Sequence, residues 1–258
     1  MYTDQELKWM LEEAYGQFAR PDFIDNDPIK IPKRFSSKED IEIAGFLTAT
    51  IAWGQRISII KSANRLMALM DEAPHDFIVN HEAKDRKRFK GFVHRTFNAD
   101  DAMFFMASLQ HIYTKKQGLE SAFSSPEATS NFERLSRFHE LFFSIEHLDR
   151  SKKHVSNPVK GSSAKRLNMF LRWMVRSSKE GIDFGIWKSI SASELMIPLD
   201  VHTGNVARKL GLLTRKQDDW KAVNELTQRL TNFDANDPVR YDLALFGMGV
   251  NGAPLPSL

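Results

Sequence analysis

Apolar residues along this chain recur at three- and four-residue intervals, and no stretch alternates convincingly with a period of two. That pattern predicts helices and no sheet. Thr3-Asp-Gln-Glu6 forms a capping box, and Leu7, Met10, Leu11 and Tyr15 follow it at helical spacing. Residues 19–35 hold three prolines and read as an ordered loop. Ser36 and Ser37 then open a helix with acidic residues in its first turn. Ile41, Ile43, Ala44, Phe46, Leu47, Ala49 and Ile51 leave that helix almost no polar face, so it is expected to be buried on most sides. A break at Ala52-Trp-Gly-Gln-Arg56 separates it from an amphipathic helix marked by Ile59, Ala63, Leu66 and Met70. Further starts are expected at Asn98 and at a second capping box, Ser130-x-x-Glu133. Others follow at Lys165, at Asp200 and at Asp237-Pro238, where an N-cap precedes a proline in the first helical position. The expectation is an all-α fold of about ten helices.

Composition narrows the class. The 258 residues, 42% hydrophobic and with 19 Phe, suffice for a real core in one large domain or two packed lobes. There is no cysteine, which excludes a disulfide framework and a Cys-ligated zinc or iron–sulfur cluster. No apolar run reaches the length of a membrane span, so a soluble cytoplasmic protein is expected. The net charge of +3 permits nucleic-acid binding without demanding it. Its distribution is uneven: Arg150, Lys152, Lys153, His154, Lys160, Lys165, Arg166, Arg172 and Arg176 crowd one short stretch. Such a run reads as a solvated face or as a set of phosphate contacts.

Candidate chemistry lies in two segments. Pro198-Leu-Asp-Val-His-Thr203 leads into a helix that ends at Leu210-Gly211, so Asp200 alone reads as a helix N-cap. Gly161-Ser-Ser-Ala-Lys-Arg-Leu-Asn168 places a lysine where the next helix begins. Lys165 alone reads as a solvated first-turn lysine, and Gln55 as a turn residue. Glu72-Ala-Pro-His75 and His139-Glu140 fail as metal sites, for want of a continuous helix and of a second His respectively. No phosphate-binding loop, dinucleotide fingerprint or serine elbow occurs.

Together these segments resemble the helix-hairpin-helix DNA glycosylases, the superfamily of endonuclease III and the archaeal 8-oxoguanine enzymes. The whole chain also resembles an uncharacterised conserved bacterial family that is remotely related to them. The resemblance covers residues 40–70 and 155–213. It implies a two-lobed helical fold with a cleft between the lobes, Lys165 as nucleophile and Asp200 as its carboxylate partner. It further implies DNA contacts from Gln55 at the helix break and from Lys152, Lys153, Lys160, Gly161, Arg166 and Asn168 around the hairpin. The chain departs from the family in having one hairpin glycine where two are usual, and Trp53-Gly54 before the glutamine. The expected organisation is an N-terminal piece (1–36) packing with a C-terminal lobe (161–258), and a helical lobe (37–160) between them.

The function so implied is a DNA base-excision glycosylase with associated lyase activity. A lysine amine attacks the anomeric carbon, a Schiff base forms and β-elimination nicks the strand. A helix N-terminus beside Arg166 favours the neutral amine, and the carboxylate stabilises positive charge on the sugar. The expected partner is double-stranded DNA, the expected state a monomer, and no cofactor or metal is expected. The rival readings are a catalytically silent relative that binds DNA or a protein, and an unrelated helical enzyme acting on a small molecule.

Overall fold

The structure, a computed structural model, describes residues 2–24, 27–124 and 127–251. The fold is all-α: eleven α-helices joined by loops and 3-10 turns, with no β-strand among the described residues. Chain contacts separate two compact units, Ile24–Asn157 and Met1–Phe23 together with Pro158–Leu258. The boundaries expected from the sequence lie at 36/37 and 160/161; residues 24–36 group instead with the central unit.

In the unit Ile24–Asn157, α2 (Lys38–Thr50) is the central helix, and every residue from Ile41 to Thr50 is buried. Ser37 caps it by accepting from the Asp40 N–H. Its one buried acid, Glu42, accepts from Tyr113 Oη (2.7 Å) and from the Leu119 N–H (3.3 Å), which explains a charge on an otherwise apolar face. The break after α2 opens α3 (Arg56–Leu69), and α4 (Pro74–Asn80) packs back on α2. Then come α5 (Ala99–Lys116), α6 (Leu119–Phe123) and α7 (Asn131–Phe142). The core is aromatic: Phe46 meets Phe138 edge-on at 5.5 Å, and Phe105 meets Phe142 at 4.7 Å. Edge-to-face pairs of this kind add stability beyond the area they bury.

Asn98 and Asp101 form a reciprocal capping box at the start of α5. The Ser130 cap is only half of one. Ser130 accepts from the Glu133 N–H, but the Glu133 side chain turns back to the N–H and hydroxyl of Thr129. The predicted loop 19–35 contains three 3-10 turns, begun by Pro21, Pro28 and Pro32, and its residues 25–26 lie outside the described residues. Prolines suit these starts because the first helical position needs no N–H.

In the other unit, α1 (Asp4–Phe18) begins at the Thr3–Glu6 capping box. It lies against α11 (Tyr241–Asn251), which packs in turn on α9 (Val201–Lys209). α8 (Lys165–Val175) and α10 (Trp220–Thr231) add buried faces of Leu167, Phe170, Leu171 and Met174, and of Val223, Leu226 and Leu230. Asp237 does not cap α11 directly. A 3-10 turn, Pro238–Arg240, intervenes, and the Asp237 carboxylate accepts instead from Arg176 Nε (3.0 Å).

Two glycines permit the close approach of α11 to its neighbours. A Cβ on Gly247 would lie 2.3 Å from the Phe18 ring, and one on Gly249 would lie 3.1 Å from the His202 carbonyl oxygen. Gly247→Ala must therefore push α1 away from α11. We expect a loss of roughly 2–3 kcal/mol, the scale of overpacking in a tight core, read as a lower urea midpoint. A midpoint equal to wild type would show that the α1–α11 contact is looser than described.

Candidate functional site

The turn before α8 is held from several sides. Gly161 has φ +81° and donates its N–H to the Pro158 carbonyl (2.8 Å). The Gly161 carbonyl accepts from the Trp220 N–H (3.1 Å), which ties the turn to the start of α10. Asp219, the N-cap of α10, forms an isolated bridge with Ser162. Ala164 is buried in the left-handed region at φ +48°, a conformation that costs an L-residue energy. Its N–H donates to Ser162 Oγ (3.2 Å), and Asn168, itself buried, donates its side-chain amide to the Ser163 carbonyl (3.1 Å). Asn168, expected from the resemblance to touch DNA, therefore braces the turn from inside. The chain enters this turn through the 3-10 turn Pro158–Lys160, and no α-helix immediately precedes it. Pro158 starts that turn after an extended segment, which prevents an α-helix from running into it.

The braced turn fixes Lys165 as the first residue of α8. Asp200 is fixed independently. The buried residues Leu195, Ile197 and Leu199 lead to it, and the Ile197 N–H donates to Thr227 Oγ1 (3.1 Å). Asp200 then caps α9, its Oδ1 accepting from the Thr203 N–H at 2.9 Å. Its other oxygen, Oδ2, lies 3.2 Å from Lys165 Nζ. The lysine side chain is 34% exposed and the aspartate 13%, so the pair is open to solvent mainly on the lysine side. The two oxygens of Asp200 thus divide their tasks, one holding a helix terminus and one pairing with the amine. Gly211, at φ +72°, lies just beyond the end of α9 as its sequence position implies.

A second layer of charge lies toward the end of α8: Arg172 and Arg176, counted above in the basic run read as a solvated face or phosphate contacts, are buried and paired internally instead. Arg172 and Arg176 lie seven and eleven positions after Lys165, a spacing that returns to one helical stripe. Arg172 donates to Asp242 (2.5 Å) and to Asp183 (3.3 Å); Arg176 donates to Asp183 (2.6 Å), to Asp237 and to Tyr15 Oη. Burial works against the Arg176 cation, but Asp183 and Asp237 hold its pKa above the ordinary arginine value. Burial pushes the Asp242 carboxyl up to about 6, and the Asp200 charge pushes it the same way, while Arg172 and Lys165 pull it down. The available signal was an arginine within the buried stripe of α8 and an aspartate opening the apolar run of α11.

The remaining expected contacts are distributed over both units. Lys160, Gly161 and Arg166 lie in the same unit as Lys165 and Asp200. Lys160 and Gly161 are exposed, and Arg166 is half-buried in the first turn of α8. Gln55, Lys152 and Lys153 belong to the unit Ile24–Asn157. Gln55 is the exposed N-cap residue of α3 and makes no side-chain capping bond, and Lys152 pairs with Asp149 at 2.9 Å. Among the described residues no group of three or more His, Asp or Glu is placed to hold a metal ion. No helix among them is long and apolar enough to cross a membrane.

Fold and geometry together define an all-α protein that carries a lysine–aspartate pair at two helix N-termini. Residues 27–251 match the family described as a protein of unknown function, DUF2400, and the chain belongs to it. No curated protein and no solved structure matches the chain.

Proposed function

We propose that this protein is a DNA glycosylase with lyase activity, using Lys165 as nucleophile and Asp200 as its carboxylate partner. The observation that carries the reading is the 3.2 Å approach of Lys165 Nζ to Asp200 Oδ2, between residues 35 positions apart that separate elements hold in place. An amine beside a carboxylate at a solvent-accessible position suits attack on an electrophilic sugar carbon. The Nζ–C1′ bond forms as the C1′–base bond breaks. The secondary ammonium so produced gives a proton to Asp200 or to the departing base. Sugar-ring opening breaks the C1′–O4′ bond, O4′ taking a proton from Asp200, and yields an iminium on Lys165. Loss of the C2′ proton to the freed carboxylate and cleavage of the C3′–O bond, the phosphate leaving on the downstream strand, complete the nick. Until the new bond forms, the fixed Asp200 charge offsets positive charge developing at the sugar. The implied partner is double-stranded DNA and the implied state a monomer acting in the cytoplasm, with no cofactor required by these steps.

The test is strand nicking of a duplex that carries an abasic site, together with binding measured over a salt series. Nicking is expected, with affinity falling steeply as salt rises because lysines displace counterions from phosphates. The double variant Lys152→Glu/Lys153→Glu should weaken binding to all duplex sequences and flatten the salt slope. A duplex that is neither bound nor nicked would overturn the proposal. Salt-sensitive binding without nicking would favour the second reading, a catalytically silent DNA-binding relative. That reading is supported by the engagement of both Asp200 oxygens, one with a helix terminus and one with the lysine.

A further inference from the structure

Arg95 stands at a strained tip in the unit Ile24–Asn157. His94 and Phe97 pair across a two-residue turn, each N–H donating to the other's carbonyl, at 2.8 and 2.9 Å. Arg95 is the first central residue of that turn, exposed and at φ +54°. Glycine ordinarily fills a turn position of positive φ, because a side chain there costs energy. A long charged side chain kept where glycine would relieve the strain is a reason to look for what the side chain does.

The tip is locked from both sides. His94 donates from Nε2 to the Trp53 carbonyl (3.2 Å), pairs through Nδ1 with the Ser62 hydroxyl (2.9 Å) and sets its ring against that of Trp53. On the other side Arg150 Nη2 donates to the Thr96 carbonyl at 2.9 Å. The Arg95 side chain lies across Gly54, where a Cβ would be 3.0 Å from its Nη1 and 3.2 Å from its Cδ. The guanidinium is thereby set beside the exposed Gln55, and it makes no hydrogen bond or ion pair to a described residue. The segments 52–57, 93–101 and 149–154 that meet here carry five Lys or Arg and three Asp. Two of those acids, Asp101 and Asp149, are already engaged by Arg150 and Lys152.

We infer that Arg95 is a phosphate-binding residue, its guanidinium held out by the 94–97 turn to take a backbone phosphodiester of duplex DNA. This rests on the reading of DNA as the partner, in its glycosylase or its silent form. A planar fork of donors fits the oxygens of a phosphodiester in pairs. A fork already fixed by the turn and by Gly54 loses little freedom when the anion arrives. The surplus of cations on the joined segments favours a polyanion over an isolated acid. A contact to phosphate fixes the position of the duplex without reading its sequence.

The experiment measures binding of the full-length protein to labelled, undamaged duplexes of several sequences by fluorescence anisotropy over a salt series. Arg95→Gln should make the salt slope shallower by about 0.9, the share of one phosphate contact, and weaken binding about five- to tenfold at ~0.1 M salt. The loss should be the same for every duplex. Arg137→Gln, an exposed arginine of the same unit that pairs with Glu127, should bind as wild type does. Arg95→Gly should lose binding as Arg95→Gln does, with a urea midpoint equal to or above wild type because the turn is relaxed. A wild-type slope in Arg95→Gln would overturn the inference, and so would a loss confined to one sequence, which marks a base contact. Wild type that binds polyglutamate as tightly as duplex would overturn it in favour of an acidic protein partner. A shallower slope in a protein that nicks no abasic duplex would leave Arg95 assigned and remove the glycosylase reading. Nicking by wild type with an unchanged slope in Arg95→Gln would do the reverse, and wild type that binds no duplex would remove both.

Discussion

Lys165→Gln should abolish covalent trapping on DNA while leaving the fold and duplex binding intact. Glutamine is accommodated in a first helical turn, and the position is one-third exposed, so little packing is lost. Asp200→Asn should divide differently. The side-chain oxygen of asparagine still accepts from the Thr203 N–H, and stability should change by about 1 kcal/mol or less. The charge facing Lys165 Nζ is gone, and base excision should fall by about 10²-fold or more, the usual effect of removing a preorganised charge. Urea unfolding and single-turnover excision on the same preparations check both halves. Undiminished excision by folded Asp200→Asn would reduce the aspartate to a helix cap.

The second large effect lies away from the site. Asp101 is fully buried in the unit Ile24–Asn157. It accepts from Ser151 Oγ (2.7 Å), Arg150 Nη1 (2.7 Å), His154 Nε2 (3.1 Å) and the Asn98 N–H (3.0 Å). The carboxylate pins the start of α5 to residues 149–154. Burial alone would raise its pKa, but the donors from His154, Ser151 and Asn98 outweigh it and hold the carboxyl well below the ordinary range. Asp101→Ala would leave the buried Ser151 and His154 donors without an acceptor, a loss of roughly 1–3 kcal/mol for each. The pH dependence has a definite sign. A depressed folded pKa contributes stability that is complete above the unfolded value, near 4, and is lost as pH falls below it. Wild type should therefore weaken on acidification below about pH 4 more steeply than the variant. Parallel stability curves across that range would contradict the assignment.

Asp101 and Asp242 are both buried aspartates opening helices, and their environments push them in opposite directions. No local sequence feature separates them. The helix start at Asn98 was legible because capping is a local hydrogen-bond pattern, and so were the Thr3–Glu6 box, the Asp200 cap and the buried α2; the reciprocal bond from Asp101 was not anticipated. Elements whose ends depend on distant partners were not. Asp237 follows the rule for a helix start, yet Arg176, 61 positions earlier, takes its carboxylate. Ser130 and Glu133 have capping-box spacing, yet the Glu133 side chain prefers Thr129. The pairing of Lys165 with Asp200 was anticipated from a resemblance, since the segments that bring them together meet only in three dimensions. The Arg172–Asp242 pair was hidden for the same reason, with its two members 70 positions apart.

In the proposed reaction the Lys165 amine becomes covalently joined to a sugar carbon. The most direct measurement is borohydride reduction of the protein with an abasic-site duplex, followed by mass-spectrometric mapping of the adduct. One cross-linked peptide containing Lys165 is expected, absent from Lys165→Gln. An adduct mapped to another lysine or to the N-terminus, or no adduct from folded wild-type protein, would contradict it.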